Sequence, residues 1–374
     1  MPQSASIARR RRWPLVLPFV LVVVLAALWS GAWFYIAARV PDTIADWRAG
    51  EAKAGRVYDC GQQTIAGFPF RIEVRCAAPN ADLSDMAPPL EIKAAQSLFA
   101  WQVYEPSLVI GEFTGPLALG EPHQPPSFLA HWRLAQASIR ASLAGVERVS
   151  IVSEGPSLDR ADSGVGPGVF KAEHIELHGR SVAGAPPDNP AADLVLRLVA
   201  ASAPALHPIL AEPLDADVTG VLQGVAALAP KPWPVVFKQW QARGGSLTIS
   251  KARLQQGDVI AVGEGALSLT PRGGLSGQLQ VTVVELAKVL QELGINQMAS
   301  HGDIGSAFDT LDKMMPGLGA IARQNAGPSI VAGLGAIGQS TTLEGKPAVT
   351  LPLRFDDGEV LLGPFRIGRV PPLF

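Results

Sequence analysis

Groups that do chemistry are scarce in this chain. It has two cysteines and six histidines in 374 residues, and only 17 % of its residues are charged. Each shortage excludes something. The cysteines, Cys60 and Cys76, are spaced neither as a C-x-x-C redox pair nor as a zinc-ligand pattern. No nucleophile elbow occurs, and no constellation of side chains that would polarise a bond, so no catalytic residue is assigned and the chain is expected not to be an enzyme. No basic stripe with interleaved aromatics is present, so nucleic acid is not an expected partner. What remains is a chain that is 48 % hydrophobic, punctuated by 38 Gly and 32 Pro. That mixture favours many short strands joined by turns over long polar helices.

The first forty residues set the compartment. Residues 1–12 form a basic tail ending in Arg9, Arg10, Arg11 and Arg12, and the uncharged run 13–38 follows, closed by Arg39. Such a run exceeds the roughly 20 residues that span a bilayer and the ~7–15-residue apolar segment of a cleaved signal. Trp29, Trp33 and Tyr35 lie where an aromatic belt would meet the far interface, while the arginines hold the near end in the cytoplasm. The expectation is an uncleaved anchor in the inner (cytoplasmic) membrane, with the rest of the chain in the periplasm. A cleaved signal or a buried core helix is the alternative. With the five leader arginines set aside from the 31 basic residues, 26 face 33 acids, a formal charge of −7 for the exported part.

Export permits a disulfide, and DCGQQTIAGFPFRIEVRC (59–76) carries both thiols. A reversal near Phe68 would set Cys60 opposite Cys76, Gln62 opposite Val74 and Thr64 opposite Ile72. Phe70, Ile72, Val74 and Cys76 then share an inner face, and Arg71, Glu73 and Arg75 an outer one. A Cys60–Cys76 staple on this first hairpin is expected.

Residues 40–190 read as an N-terminal β-rich part. A short juxtamembrane helix over 42–54 continues the anchor and leads into strand-like runs at 90–115, 131–145, 146–158 and 169–179, with exposed loops at 122–127 and 184–191. Residues 191–374 read as a second β-rich part. A strand over 192–202 is followed by a short helix from Trp233 that ends at Gly244-Gly245. Three strands then turn at 256–258 and 272–274, helices lie near 284–325 (284–294 and 303–315), and a final hairpin turns at Asp356-Asp357-Gly358. The fold class is therefore mainly β (α+β): a transmembrane helix, then a curved antiparallel sheet or sheets with a few covering helices.

The anchor, GRVYDC, GFPFRIEVRC and the terminal LPLRFDDGEVLLGPFRIGRVPPLF together resemble the bacterial domain of unknown function numbered 2125, a family of single-anchor envelope proteins. The resemblance covers essentially the whole chain and implies no catalytic residues. The block GGSLTISKARLQQGDVIAVGEGALSLTPRGGLSGQLQV is more loosely similar to AsmA-like envelope proteins, whose sheet is thought to carry lipid on an apolar face. That likeness implies a lipid-holding groove, in a chain shorter than theirs.

Two literal motifs are read as structural. Gly333-Leu-Gly335-Ala-Ile-Gly338 matches G-x-G-x-x-G, but the polar, Thr- and Pro-rich segment after it is not a helix. His174, Glu176 and His178 share a strand face and are read as a solvated outer surface, with Ile175 and Leu177 inward, so no metal and no cofactor are expected. His123, His131, His207 and His301 have no motif partner. Apolar strand surface stands out more. The run from Leu98 to Tyr104 is apolar on nearly both faces, Leu194, Leu196 and Leu198 line one face, and Val259, Ala261 and Leu267 extend the pattern. Such residues build either a filled core or an open groove, and both demand the same side chains. Two functions follow. In the first, the protein binds or helps move lipid or another amphiphile near the membrane, with Leu98, Trp101, Leu194, Leu196 and Leu198 as lining. In the second, a fully packed structural or assembly protein docks another envelope protein by its edge strands.

Overall fold

The computed structural model describes residues 13–143, 145–161, 168–186, 188–225, 231–292, 338–362 and 365–374. The tail arginines Arg9 to Arg12, the helix expected over 303–315, His301 and all of the G-x-G-x-x-G segment except Gly338 lie outside those residues.

The apolar leader and the short helix expected after it are one helix, α1 (Trp13–Ala52), which continues through Pro18 and Pro41. An interior proline costs a helix about 3 kcal/mol. Tertiary packing offsets it here. Trp33, Ala37, Val40 and Ile44 recur at helical spacing, and this stripe lies on Ile72, Val74 and Ile65 of the first hairpin. At 40 residues α1 is about 60 Å long, twice the hydrocarbon thickness of a bilayer. By its length, and by an 18-residue stretch of mean hydropathy 2.2 within it, it is a candidate membrane anchor or signal sequence.

The rest is one antiparallel sheet of 19 strands among the described residues. Its N-terminal portion comprises β1 (Val57–Ala66), β2 (Arg71–Leu83), β3 (Leu90–Gln102), β4 (Glu105–Gly120), β5 (Phe128–His131), β6 (Leu134–Ser142), β7 (Gly145–Glu154), β8 (Ser157–Arg160), β9 (Phe170–Lys171) and β10 (His174–Ser181). Beyond these lie β11 (Ala191–Ala201), β12 (Leu214–Gln223), β13 (Ser246–Gln256), β14 (Val259–Leu269), β15 (Leu275–Val284), β16 (Gln339–Leu343), β17 (Lys346–Asp356), β18 (Glu359–Leu362) and β19 (Phe365–Arg369). In space the long strands follow β1, β2, β3, β4, β6, β7, β10, β11, β12, β13, β14, β15, β17, β18, β19. The sheet is not closed, and the parts expected on either side of residue 190 share it, because β10 pairs directly with β11.

Among the described residues two further α-helices attach to it: α2 (Trp233–Ala242), ended at Gly244 as the sequence indicates, and α3 (Leu286–Glu292). The three strands expected between 246 and 284 turn where Gly257 and Gly273 take positive φ. The run 90–115 is two strands rather than one, reversing at Val103-Tyr104, and β12 had no separate counterpart in the sequence reading.

The first hairpin forms in a register three residues away from the expected one. Gln63, not Cys60, stands opposite Cys76, and Cys60 stands opposite Pro79. The cause is a wider turn. The Arg71 amide donates to the Gly67 carbonyl, so residues 67–70 are all used in reversing the chain. Gly67 has φ +101°, and a Cβ there would lie 2.6 Å from the Arg71 oxygen. Phe70 consequently sits in the turn and is exposed, while Ile72, Val74 and Cys76 are buried as the alternation requires. The disulfide still forms, diagonally, with the two Cα atoms 5.6 Å apart. Near it the inward positions of β1 change parity, from Tyr58 and Cys60 to Gln63 and Ile65, and Ala78 on β2 takes positive φ.

Candidate functional site

Directly opposed residues in a ladder share a face, and period two carries that face along each strand. The pairs therefore trace one surface across the molecule. Ile72 opposes Trp101, Trp101 opposes Val109, and Val109 opposes Ile139. Ile139 opposes Val149, Ile151 opposes Leu177, and Leu177 opposes Leu196. Leu198 opposes Ala216, then Leu254, Ala261 and Val283 follow in turn, and Val281 opposes Leu351 on β17. This is a continuous apolar face. The reverse side is ionic: Arg71 and Arg75 flank Glu73, Arg140 meets Glu105, Arg180 meets Asp193, and Arg197 meets Asp217. Glu73 is only 3 % exposed, yet both flanking guanidinium groups reach it.

The residues singled out in the sequence divide between the two faces. Trp101, Leu194, Leu196 and Leu198 lie on the apolar side, although β3 and β11 are five strands apart, about 24 Å at ladder spacing. Val259, Ala261 and Leu267 lie on the same side. Leu98 does not. It opposes Arg75 and Glu112 on the polar face, because residues 98 and 101 are an odd number apart on one strand.

Cover over the apolar face is uneven. At one end the second half of α1 lies along β1 and β2, with Trp33 packed on Ile72 and the Trp47 ring 4.8 Å from that of Tyr58. Beneath it a groove of about 510 Å³ is bounded by Ile44, Trp47 and Arg48 of α1 and by Val74, Phe99, Trp101, Val109 and Phe113 of the sheet. Among its polar atoms, Arg48 Nη2 donates to Gln63 Oε1 at 3.2 Å, while Arg48 Nε and Asn80 Oδ1 are buried without a hydrogen-bond partner. At the other end α3 and the 3-10 turn Pro208–Ala211 close a second apolar groove, of about 260 Å³, over strands from β12 to β19. Leu290 of α3 and Leu351 beneath it are wholly buried there. Between the two ends nothing among the described residues covers the face. Ile139, Ile151 and Leu177 there, and Phe99 and Val109 in the wall of the first groove, are all more than a third exposed. Sequence pattern found this face but not its cover, since a covered and an uncovered strand carry the same alternation.

The aromatic residues expected at the membrane interface make specific contacts. Trp29 Nε1 donates to the Pro69 carbonyl at 2.8 Å and Trp33 Nε1 to the Arg71 carbonyl at 2.9 Å, tying the helix to the tip of the first hairpin. Phe34 stacks on Phe68, and Arg39 lies 5.0 Å from the centre of the Tyr35 ring, a cation–π arrangement.

His174, Glu176 and His178 lie on the polar face, with Leu177 pointing the other way, as the alternation indicates. His174 Nδ1 meets Glu154 Oε1 at 2.8 Å and Nε2 meets Glu176 Oε1 at 2.9 Å. These hydrogen bonds, Glu176 foremost, raise the His174 pKa and lower that of Glu176. Both ring nitrogens of His174 thus already have carboxylate partners, and the described residues contain no cluster of three or more ligands able to hold a metal. Asp357 serves the closing turn, meeting Arg272 and Thr270.

No curated protein matches the chain. A family model described as "Uncharacterized protein conserved in bacteria (DUF2125)" matches residues 33–371, from Trp33 on α1 to just beyond the last strand. Since that match takes in the disulfide hairpin, both grooves and the open strip between them, the chain belongs to this bacterial domain family.

Proposed function

We propose that the protein is a non-enzymatic, membrane-anchored envelope protein that holds lipid, or helps it move, by seating acyl chains on the apolar sheet face. One observation carries the reading: the exposed strip from Phe99 to Leu177 is continuous with a groove beside the helix able to cross a bilayer. Apolar strand surface with no second layer is costly in water, at roughly 25 cal/mol for each Å² exposed. An acyl chain is a cover of matching chemistry, and the bilayer supplies it where α1 enters. The groove volume falls within the ~300–1,000 Å³ of small-molecule sites. Arg48, whose side chain bounds the groove, provides a cationic donor for the polar end of a lipid. This gives the AsmA-like resemblance a physical basis, with the helix as an inner-membrane anchor and the sheet in the periplasm.

The test is photocrosslinking in cells. A benzophenone amino acid replaces Ile151 or Leu177 in the full chain, and the adducts are identified by mass. Acyl-lipid adducts at both positions are expected, with loss of crosslinking at Leu177 when Ile151 is replaced by Glu instead. Protein adducts alone would transfer the strip to an envelope partner and overturn the lipid reading.

A further inference from the structure

The turns at one end of the strands carry large apolar side chains into solvent. Phe70 (62 % exposed) and Phe68 lie at the β1–β2 turn, Tyr104 (67 % exposed) at the β3–β4 turn, and Leu143, fully exposed, at the β6–β7 turn with Val146 beside it. Antiparallel pairing puts these tips on the same end of the sheet. The Val103 amide donates to the Phe70 carbonyl, joining the first two, and Arg140 beside the third meets Glu105 beside the second. They lie within three ladder steps, about 14 Å.

Their level along α1 is fixed independently. Trp29 and Trp33 donate to the carbonyls of Pro69 and Arg71, so the first tip sits at the turn of helix that ends the apolar run. From Trp13 to Trp33 the helix rises about 30 Å, the thickness of a bilayer's hydrocarbon core. From Trp29 to Trp47 it rises about 27 Å, and Tyr58 to Ala66 spans about the same length of strand, so helix and strands run side by side. The tips therefore point back along the helix toward the membrane it would cross. Aromatic rings at that depth are the side chains that partition into a bilayer interface. Arg71, 60 % exposed beside the first tip, suits an anionic headgroup.

We propose that this rim, Phe68, Phe70, Tyr104, Leu143 and Val146, is a second membrane contact that inserts into the interfacial layer and holds the sheet upright on the bilayer. The inference rests on the membrane-anchor reading of α1. In full-length protein, single cysteines replacing Tyr104 or Leu143 carry an environment-sensitive fluorophore, with Cys60–Cys76 left intact. Leu21→Cys on α1 and Leu206→Cys at the opposite end of the strands serve as references. The protein is placed in nanodiscs of mixed zwitterionic and anionic phospholipid containing lipid with a shallow nitroxide quencher for positions 104, 143 and 206 and, in parallel, a deep acyl-chain nitroxide for position 21. Quenching at positions 104 and 143 is expected to exceed that at 206 several-fold, with blue-shifted emission. Quenching at 21 with none above the position 206 level at 104 and 143 overturns the rim and leaves the anchor standing. Absence of quenching at 21 refutes the anchor reading, and the rim falls with it.

Discussion

Ile72 and Phe70 occupy equivalent places in the alternation of β2, yet the structure gives them opposite fates. Ile72 is 1 % exposed and is enclosed by Trp33, Ala37, Val40 and Val74, whereas Phe70 is in the turn. Ile72→Ala removes buried methyl groups and opens a cavity between a helix and a sheet held by two indole hydrogen bonds, so it can relax only partly. The cost should be about 3 kcal/mol, within the roughly 2–5 kcal/mol range of such truncations. Phe70→Ala removes a larger side chain from a site with little packing and should cost under about 0.5 kcal/mol. A gap of about 2.5 kcal/mol is roughly 60-fold in the unfolded population. Pulse proteolysis of the full chain across a urea series, with the disulfide intact, reads both variants under one set of conditions. Equal costs would refute the packing of α1 on the hairpin, and Phe70→Ala costing more would restore the hairpin register read from the sequence.

In lipid-free protein, Leu351→Ala beneath α3 should cost about 3 kcal/mol and Leu177→Ala on the open strip about 1 kcal/mol; equal losses by the same proteolysis would place unseen protein over the strip. Replacing Cys60 and Cys76 together by Ala should lower stability by about 3 kcal/mol in the chain-entropy model for a loop of this size. Thermal denaturation with and without reductant checks it, and a reductant-insensitive melt would contradict it. The hydrogen bonds of His174 to Glu176 and Glu154 favour its protonated ring, so its folded pKa lies above the usual value of about 6.5. Its contribution to stability is complete below that unfolded value and disappears as pH rises through the folded one. Titration of its ring protons by NMR should show the elevation, which His174→Asn would remove along with the corresponding pH dependence of stability; a midpoint at or below 6.5 would refute the pairing.

Much of the sheet is legible in the sequence because period two leaves a local record. The alternation of Ile72, Val74 and Cys76 against Arg71, Glu73 and Arg75, the glycine turns at 257 and 273, and the helix ended at Gly244 are all decided by neighbours in sequence. What was misread rests on turn length and strand parity, which hydropathy alone does not fix. The hairpin register turns on an Arg71–Gly67 hydrogen bond that lengthens the turn, and the pairing of two cysteines constrains register only loosely, since a diagonal bridge reaches as well as a direct one. The continuation of the anchor into the 42–54 helix is legible in sequence, while the stripe from Trp33 to Ile44 that offsets the local cost of Pro41 needs the hairpin to be seen. Leu98 and Trp101 were grouped as one lining by hydropathy alone, and only strict parity separates them.

The direction of α1 relative to the strands constrains how lipid would reach the sheet. Helix and hairpin run side by side from Trp29 at the turn to Trp47 beside Tyr58, so strands β1 to β4 stand along the axis on which α1 would cross the bilayer. Successive strands then add sideways, parallel to the membrane, and the open strip between the two grooves extends laterally. On the lipid-carrier reading, an acyl chain leaves the bilayer over the apolar side of the strand tips near Phe70 and Tyr104 and rises along the strands into the groove walled by Ile44 and Trp101. Its polar end meets Arg48, on the helix face beyond the apolar run. A chain seated this way covers Phe99 and Val109, the exposed residues nearest the groove, and leaves Ile151 and Leu177 for a second. The reading thus requires protection from solvent to appear first at Phe99 and last at Leu177 as lipid is added. Uniform protection across the strip would instead indicate a single broad cover, such as a partner protein.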